Sequence, residues 1–322
     1  MTLRPVASIE PARAARWQDY VRLMKPRVMS LVVFTAVTGL VCAGRPMNLL
    51  LAVVAVLCIA IGAGGSAALN MAYDADIDRL MRRTRNRPIP AGRIQAADAL
   101  ALGVTLSLFS VAVMGLAANW LAAGLLAFTI LFYAVVYTLW LKRRTPQNIV
   151  IGGLAGALPP LVGWAAASGA APLNAWLLVA IIFLWTPPHF WALSLYTSGD
   201  YAAAGVPMLP VVKGPAHTRL QILLYSLVLA PLGVVPAFTG LGGPLYLAVA
   251  GIGGLVFVGL AVRLAASRAG EPEAGAMSTG LYDVKVAARP ARDLFAFSLL
   301  YLTGLFAALL LEHLPPFVEL TR

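Results

Sequence analysis

Apolar residues in this chain come in long runs, separated either by a few polar residues or by one of three long polar stretches. Nine runs stand out, at about 27–43, 48–70, 97–117, 121–140, 148–168, 174–195, 219–239, 245–265 and 293–311. Each is close to the twenty or so apolar residues that a helix needs to cross a bilayer. Inside lipid the backbone must satisfy its own hydrogen bonds, so such runs predict helices. The short alternating segments of a membrane barrel are absent. The expected fold is therefore an all-α polytopic membrane protein of nine transmembrane helices over 25–311. Residues 1–24 form an N-terminal tail, loose at least through residue 20, and 312–322 a short C-terminal one. The polar stretches 71–96, 196–217 and 266–292 stay outside the membrane. Pro187-Pro188 is expected to interrupt the sixth span near its end, because proline lacks the amide donor and crowds the preceding turn.

Composition agrees with the pattern. Hydrophobic residues make up 60% of the chain and charged residues 11%, against about a quarter charged in soluble domains. The net charge of +11 does not point to nucleic acid, because the basic residues sit between apolar runs. With the N-terminus inside, the inner segments hold 22 of the 24 Lys and Arg residues, leaving Arg45 and Arg322 outside. That asymmetry predicts a cytoplasmic N-terminus, an outer C-terminus and all three long loops on the cytoplasmic face of an inner membrane. The first 26 residues have no apolar stretch, so no cleavable signal is expected. Cys42 and Cys58 both fall inside apolar runs and form no metal knuckle.

The densest chemistry follows the second span. Asn70, Asp74 and Asp78 are spaced i, i+4, i+8, which on a helix aligns them over roughly 12 Å of axis. Two carboxylates one turn apart repel unless a cation sits between them, and Mg²⁺ is the natural one. Asp76 lies about 200° round the same helix and faces away. A solvated turn in which these acids pair with Arg79, Arg82 and Arg83 competes with that reading.

The second long loop adds Asp200, a further candidate metal ligand, and Tyr196 one turn before it. His189, one residue past Pro187-Pro188, is a polar group at membrane depth, where polar groups are costly and tend to be functional. Trp185, Phe190 and Trp191 surround it in sequence. Lys25 and Arg27 enter the first span, and Lys142, Arg143 and Arg144 leave the fourth, all toward the face that carries the carboxylates. Hard carboxylates, Mg²⁺ and several cations together describe a diphosphate site. At the mouth of an apolar helical cavity it fits an isoprenyl diphosphate, whose departure leaves an allylic cation.

Here the sequence resembles the intramembrane aromatic prenyltransferases, and within them the haem-modifying branch. The resemblance is carried by Lys25-Pro-Arg-Val28, Asn70-Met-x-Tyr-Asp-x-Asp-Ile-Asp78, Asn86-Arg-Pro88, the block Tyr137 to Asn148, Trp185-Thr-Pro-Pro-His-Phe-Trp191 and Gly205-Val-Pro-Met-Leu-Pro210. It covers about 20–310. It implies a nine-helix bundle around a central cavity open to the cytoplasmic face. It implies Asn70, Asp74, Asp78 and Asp200 as catalytic metal ligands for Mg²⁺. It further implies Lys25, Arg27, Arg87, Lys142, Arg143, Tyr137, Trp185, His189 and Tyr196 as substrate-binding residues. The implied donor is farnesyl diphosphate and the implied acceptor is haem B. A haem A synthase or a terminal oxidase assembly factor is the implied partner downstream. The family's second motif carries two aspartates four apart. Here Tyr196 stands in for the first, and only Asp200 remains. Two other readings compete: a prenyltransferase acting on a hydroxybenzoate or quinone precursor, and a non-enzymatic transporter.

Overall fold

The computed structural model describes residues 15–271 and 286–314. Expectations for residues 1–14, for most of the third polar loop and for 315–322 lie outside the described residues. Among the described residues all regular structure is helical. Helices α1 (Trp17–Leu23) and α2 (Pro26–Cys42) meet at a bend of 52°. Helix α3 (Leu49–Tyr73) leads through Asp74 into the short α4 (Ala75–Leu80). There follow α5 (Ala96–Ala117), α6 (Trp120–Leu131), α7 (Asn148–Ala157) and α8 (Pro159–Ser168). The rest are α9 (Leu173–Tyr196), α10 (Ser198–Ala203), α11 (Leu209–Val212), α12 (Pro215–Val234), α13 (Pro244–Ala265) and α14 (Arg289–Glu312). Among the described residues, eight helical stretches are long and apolar enough to cross a membrane, and the bent α1–α2 pair, taken as one span, makes a ninth.

The spans pack in chain order around a ring, α2 on α3, α3 on α5, α5 on α6, α7 on α9, then α9, α12, α13 and α14, and α14 returns to α2. Large apolar side chains such as Leu116, Leu255 and Ile252 remain exposed on the outside of the ring, as expected where lipid is the solvent. Inside it, α2 and α8 touch backbone to backbone. A Cβ on Gly39 would lie 2.0 Å from the Pro160 carbonyl oxygen, and one on Gly163 2.1 Å from that of Ala36. Only glycine permits that approach.

Three features depart from the sequence expectation. Residues Trp17–Leu23 are helical rather than a loose tail. Asp19 receives the Arg93 guanidinium at 2.9 Å and the Arg16 amide at 3.3 Å, and Leu23 is buried with Met71, Ile89 and Ile94. Helix α9 runs unbroken through Pro187-Pro188. The prolines withhold amides from the carbonyls of Phe183 and Leu184, yet the helix continues, with Trp185 to His189 all buried. The proline break falls instead in the fifth span, between α7 and α8 at Pro159-Pro160. Finally, α6 continues from Phe132 to Leu141 as a wider π-helix, a rare winding found frequently at functional sites.

Candidate active site

Asn70 lies in the last turn of α3, Asp74 is the joint residue and Asp78 belongs to α4. The amides of Asp74 and Asp78 donate to the carbonyls of Asn70 and Asp74, so helical geometry carries through the joint. The three side chains consequently share one face. They are 3%, 0% and 2% exposed, whereas the Asp76 side chain on the opposite face is 63% exposed. The solvated-turn reading is thereby excluded for Asn70, Asp74 and Asp78; Asp76 is solvent-exposed, but its partner is Arg143 rather than Arg79, Arg82 or Arg83.

Each of these three residues meets a cation from elsewhere in the chain through one oxygen. Lys25 donates to Asn70 Oδ1 at 2.7 Å. Lys142 pairs with Asp74 Oδ2, which also accepts from Asn70 Nδ2 at 2.7 Å. Arg87 pairs with Asp78 Oδ2 at 2.7 Å. Arg143 forks onto both oxygens of Asp76 at 2.7 Å, lies over the Tyr73 ring at 4.7 Å and reaches Asp74 Oδ1 only at 3.7 Å. That fork holds the Asp76 carboxyl below the usual carboxylate range. Asp74 Oδ1 is buried without a hydrogen-bond partner. A carboxylate oxygen left bare in a shell of hard oxygens is a fitting ligand for Mg²⁺.

The backbone is shaped to this purpose. Lys25 holds φ +51, the one non-glycine residue with positive φ among those described, directly before Pro26. L-residues disfavour that conformation, and strain of this kind collects at functional sites. The π-helix acts similarly from the opposite side. Thr138 Oγ1 donates back to the Tyr133 carbonyl at 2.8 Å and accepts from Asn70 Nδ2 at 3.1 Å. Tyr133 and Tyr137 stack with centroids 5.4 Å apart. Tyr137 lies so close to α7 that a Cβ on Gly152 would sit 2.1 Å from its ring.

Asp200 is not gathered into this set. Among the described residues no three His, Cys, Asp or Glu side chains form a metal-holding group, and Asp200 Oδ2 instead accepts a long bond from the Arg83 amide, 3.4 Å. Arg83 also reaches the Tyr201 hydroxyl at 3.4 Å. Beneath these contacts Ile77 and Met81 pack with Ile149, Tyr201, Val206 and Met208, so the first two polar loops close over one another. Arg27 is exposed on the first turn of α2, outside the network.

His189 stands one helix away, in a second cluster between α9 and α14. Trp185 and Phe295 cover its two faces, with centroids at 4.2 and 4.6 Å, and Phe190 meets it edge-on. Its Nδ1 is 2.6 Å from Ser298 Oγ, and Ser298 gives its own proton to the Phe295 carbonyl at 2.6 Å. The tautomer with its proton on Nδ1 is the one that satisfies both contacts, and it leaves the lone pair on Nε2. Trp185 Nε1 donates to the Ser298 carbonyl at 2.7 Å, and Tyr196 meets Phe295 edge-on at 6.3 Å. Sequence reasoning named Trp185, His189 and Tyr196 but missed Ser298 and Phe295, which are brought in from α14 and have no local signal. It also missed Thr138, although that residue lies inside the block of resemblance that begins at Tyr137.

Residues 32–282 match the UbiA prenyltransferase family. The chain belongs to that family. Its spans make it a multi-pass membrane protein. It is 67% identical over 309 residues to a protein of Caulobacter vibrioides named protoheme IX farnesyltransferase, covering 94% of this chain and 93% of that one. Proteins of the same name from Caulobacter sp. strain K31 and Maricaulis maris are 68% and 59% identical, covering 96% and 94% of this chain and 93% and 92% of theirs. Solved UbiA-fold structures are more distant in sequence. A digeranylgeranylglyceryl phosphate synthase aligns with TM-score 0.72 at 16% identity, over 92% of this chain and 98% of its own. A UbiA homologue from Archaeoglobus fulgidus, bound to DMAPP and Mg²⁺, aligns with TM-score 0.61 at 16% identity, over 90% and 99%. These likenesses establish the fold.

Proposed function

We propose that this protein transfers a farnesyl group from farnesyl diphosphate to the vinyl group of haem B, giving haem O and diphosphate, with Mg²⁺ as cofactor. The observation that carries the donor half is the buried face of Asn70, Asp74 and Asp78, each residue matched to a cation and Asp74 Oδ1 left without a hydrogen-bond partner. The acceptor is supported by relatives of the same name that are 59–68% identical over more than nine-tenths of this chain.

Asn70, Asp74 and Asp78 would hold Mg²⁺, which when bound clamps diphosphate oxygens and offsets the charge that develops on the leaving group. Lys25, Lys142 and Arg87 rest on the metal-binding oxygens and would turn to the phosphates, stabilising them as the bond from farnesyl C1 to oxygen breaks. Tyr133 and Tyr137 would present ring faces to the allylic cation. The vinyl π electrons then bond to farnesyl C1, and water takes the resulting cation on the porphyrin side chain and loses a proton. Trp185, His189 and Tyr196 would line the haem side, and with Nδ1 taken by Ser298 only Nε2 of His189 is open to iron. Asp200, on the loop over the mouth, would reach the metal only by moving away from Arg83.

In this reading residues 25–311 form one catalytic domain in the inner membrane, with the N-terminus and the site on the cytoplasmic side and the C-terminus outside. Haem O would pass to a haem A synthase or an oxidase assembly factor. Purified protein given Mg²⁺, farnesyl diphosphate and haem B tests the proposal. Mass spectrometry of the extracted haem is expected to show addition of one farnesyl group and one hydroxyl group. Unchanged haem, from protein that binds both substrates, would overturn it.

A further inference from the structure

Asn148 opens α7, six residues after Lys142, and is completely buried. Its Nδ2 donates to the Lys142 carbonyl at 3.3 Å. A carbonyl can only accept, so this contact fixes which end of the amide is nitrogen. Asn148 Oδ1 therefore points the other way, and it is buried with no hydrogen-bond partner. An amide oxygen in that position calls for a donor or a cation.

The Lys142 ammonium is committed to Asp74 Oδ2, and among the described residues the other bare side-chain oxygen of a buried acid or amide is Asp74 Oδ1. Lys142 thus joins the two residues that carry bare oxygens: its ammonium holds Asp74 and its carbonyl holds Asn148. Diphosphate oxygens bring no proton to an amide oxygen, so a phosphate alone would leave Asn148 unsatisfied. A hydrated divalent cation brings both positive charge and water protons. We infer that Asn148 is a further metal-site residue, whose Oδ1 accepts from a water on the divalent cation that Asp74 holds, or meets the ion itself. This rests on the diphosphate reading above. It assigns to α7 a share of a site otherwise built from α3, α4 and the π-helix.

The test uses Mn²⁺ as the probe, followed by electron paramagnetic resonance in full-length protein with inorganic diphosphate present. Asn148→Ala is expected to weaken Mn²⁺ binding by about 10–100-fold, the range for losing a group that supports a bound metal, with the helical circular dichroism unchanged. Asn148→Leu, which fills the volume, is the second variant in case alanine fails to fold, and it is expected to show the same loss. Wild-type Mn²⁺ affinity in either folded variant would overturn the inference and leave the diphosphate reading standing. No Mn²⁺ binding by the wild-type protein would overturn both.

Discussion

Replacing each acid of the first polar loop by its amide separates a metal site from an ion-pair network. Asn keeps the shape of Asp and removes one charge. At Asp74 the loss falls on a carboxylate with one oxygen on Lys142 and one bare, and at Asp78 on a buried partner of Arg87. If both hold the cation that stabilises departing diphosphate, each substitution removes about 2.7–4 kcal/mol of transition-state stabilisation, or about 10²–10³-fold in turnover. Asp76 is equally acidic and equally paired, but it is exposed. Pairs of that kind contribute about 0.2–1 kcal/mol, so Asp76→Asn is expected to change turnover by less than about fivefold. The assay is single-turnover formation of farnesylated haem by the three variants, with thermal unfolding in detergent as the control for folding. Equal losses at positions 74, 76 and 78 would refute the helical-face reasoning and point to general electrostatics of the loop.

Three further expectations follow from the same structure. His189→Ala should weaken haem B binding, read by Soret absorbance, while calorimetric binding of farnesyl diphosphate stays intact, since the two clusters lie on different helices; parallel loss of both would assign His189 to packing. Because Arg143 depresses Asp76, their pair should stabilise the fold at all pH values above the ordinary carboxylate value of 3.8 and lose that contribution as pH falls through the lower folded value. Unfolding of Asp76→Asn should lack this acid-side step, and an identical pH profile in the two proteins would contradict it. A reporter fused after Arg322 should behave as non-cytoplasmic, and a cytoplasmic signal would mean that the chain crosses the membrane an even number of times.

The spans were legible because lipid leaves an apolar run few alternatives to a helix. The face of Asn70, Asp74 and Asp78 was legible because its spacing is a property of one helix. Their partners were not. Lys25, Arg87 and Lys142 arrive from three other segments, and only packing decides which cation meets which oxygen. Local winding was hidden for a different reason. Pro159-Pro160 begins a new helix and Pro187-Pro188 does not, although the dipeptide is the same. Proline identifies which amide is missing, while the surrounding contacts decide whether the chain bends. The π-helix over Phe132–Leu141 has no composition of its own, and it becomes visible only once Thr138 is seen turned back onto Tyr133 and across to Asn70.

In the proposed reaction a magnesium diphosphate site at the inner mouth serves haem as the acceptor. It is tested most directly by offering the purified protein farnesyl diphosphate together with equal amounts of haem B and a hydroxybenzoate, with Mg²⁺ and with excess chelator, and identifying the prenylated product by mass spectrometry. Farnesylated haem is expected in the presence of Mg²⁺, none in chelator, and an unmodified hydroxybenzoate. Prenylated hydroxybenzoate with unchanged haem would contradict the acceptor, and equal yield in chelator would contradict the metal site.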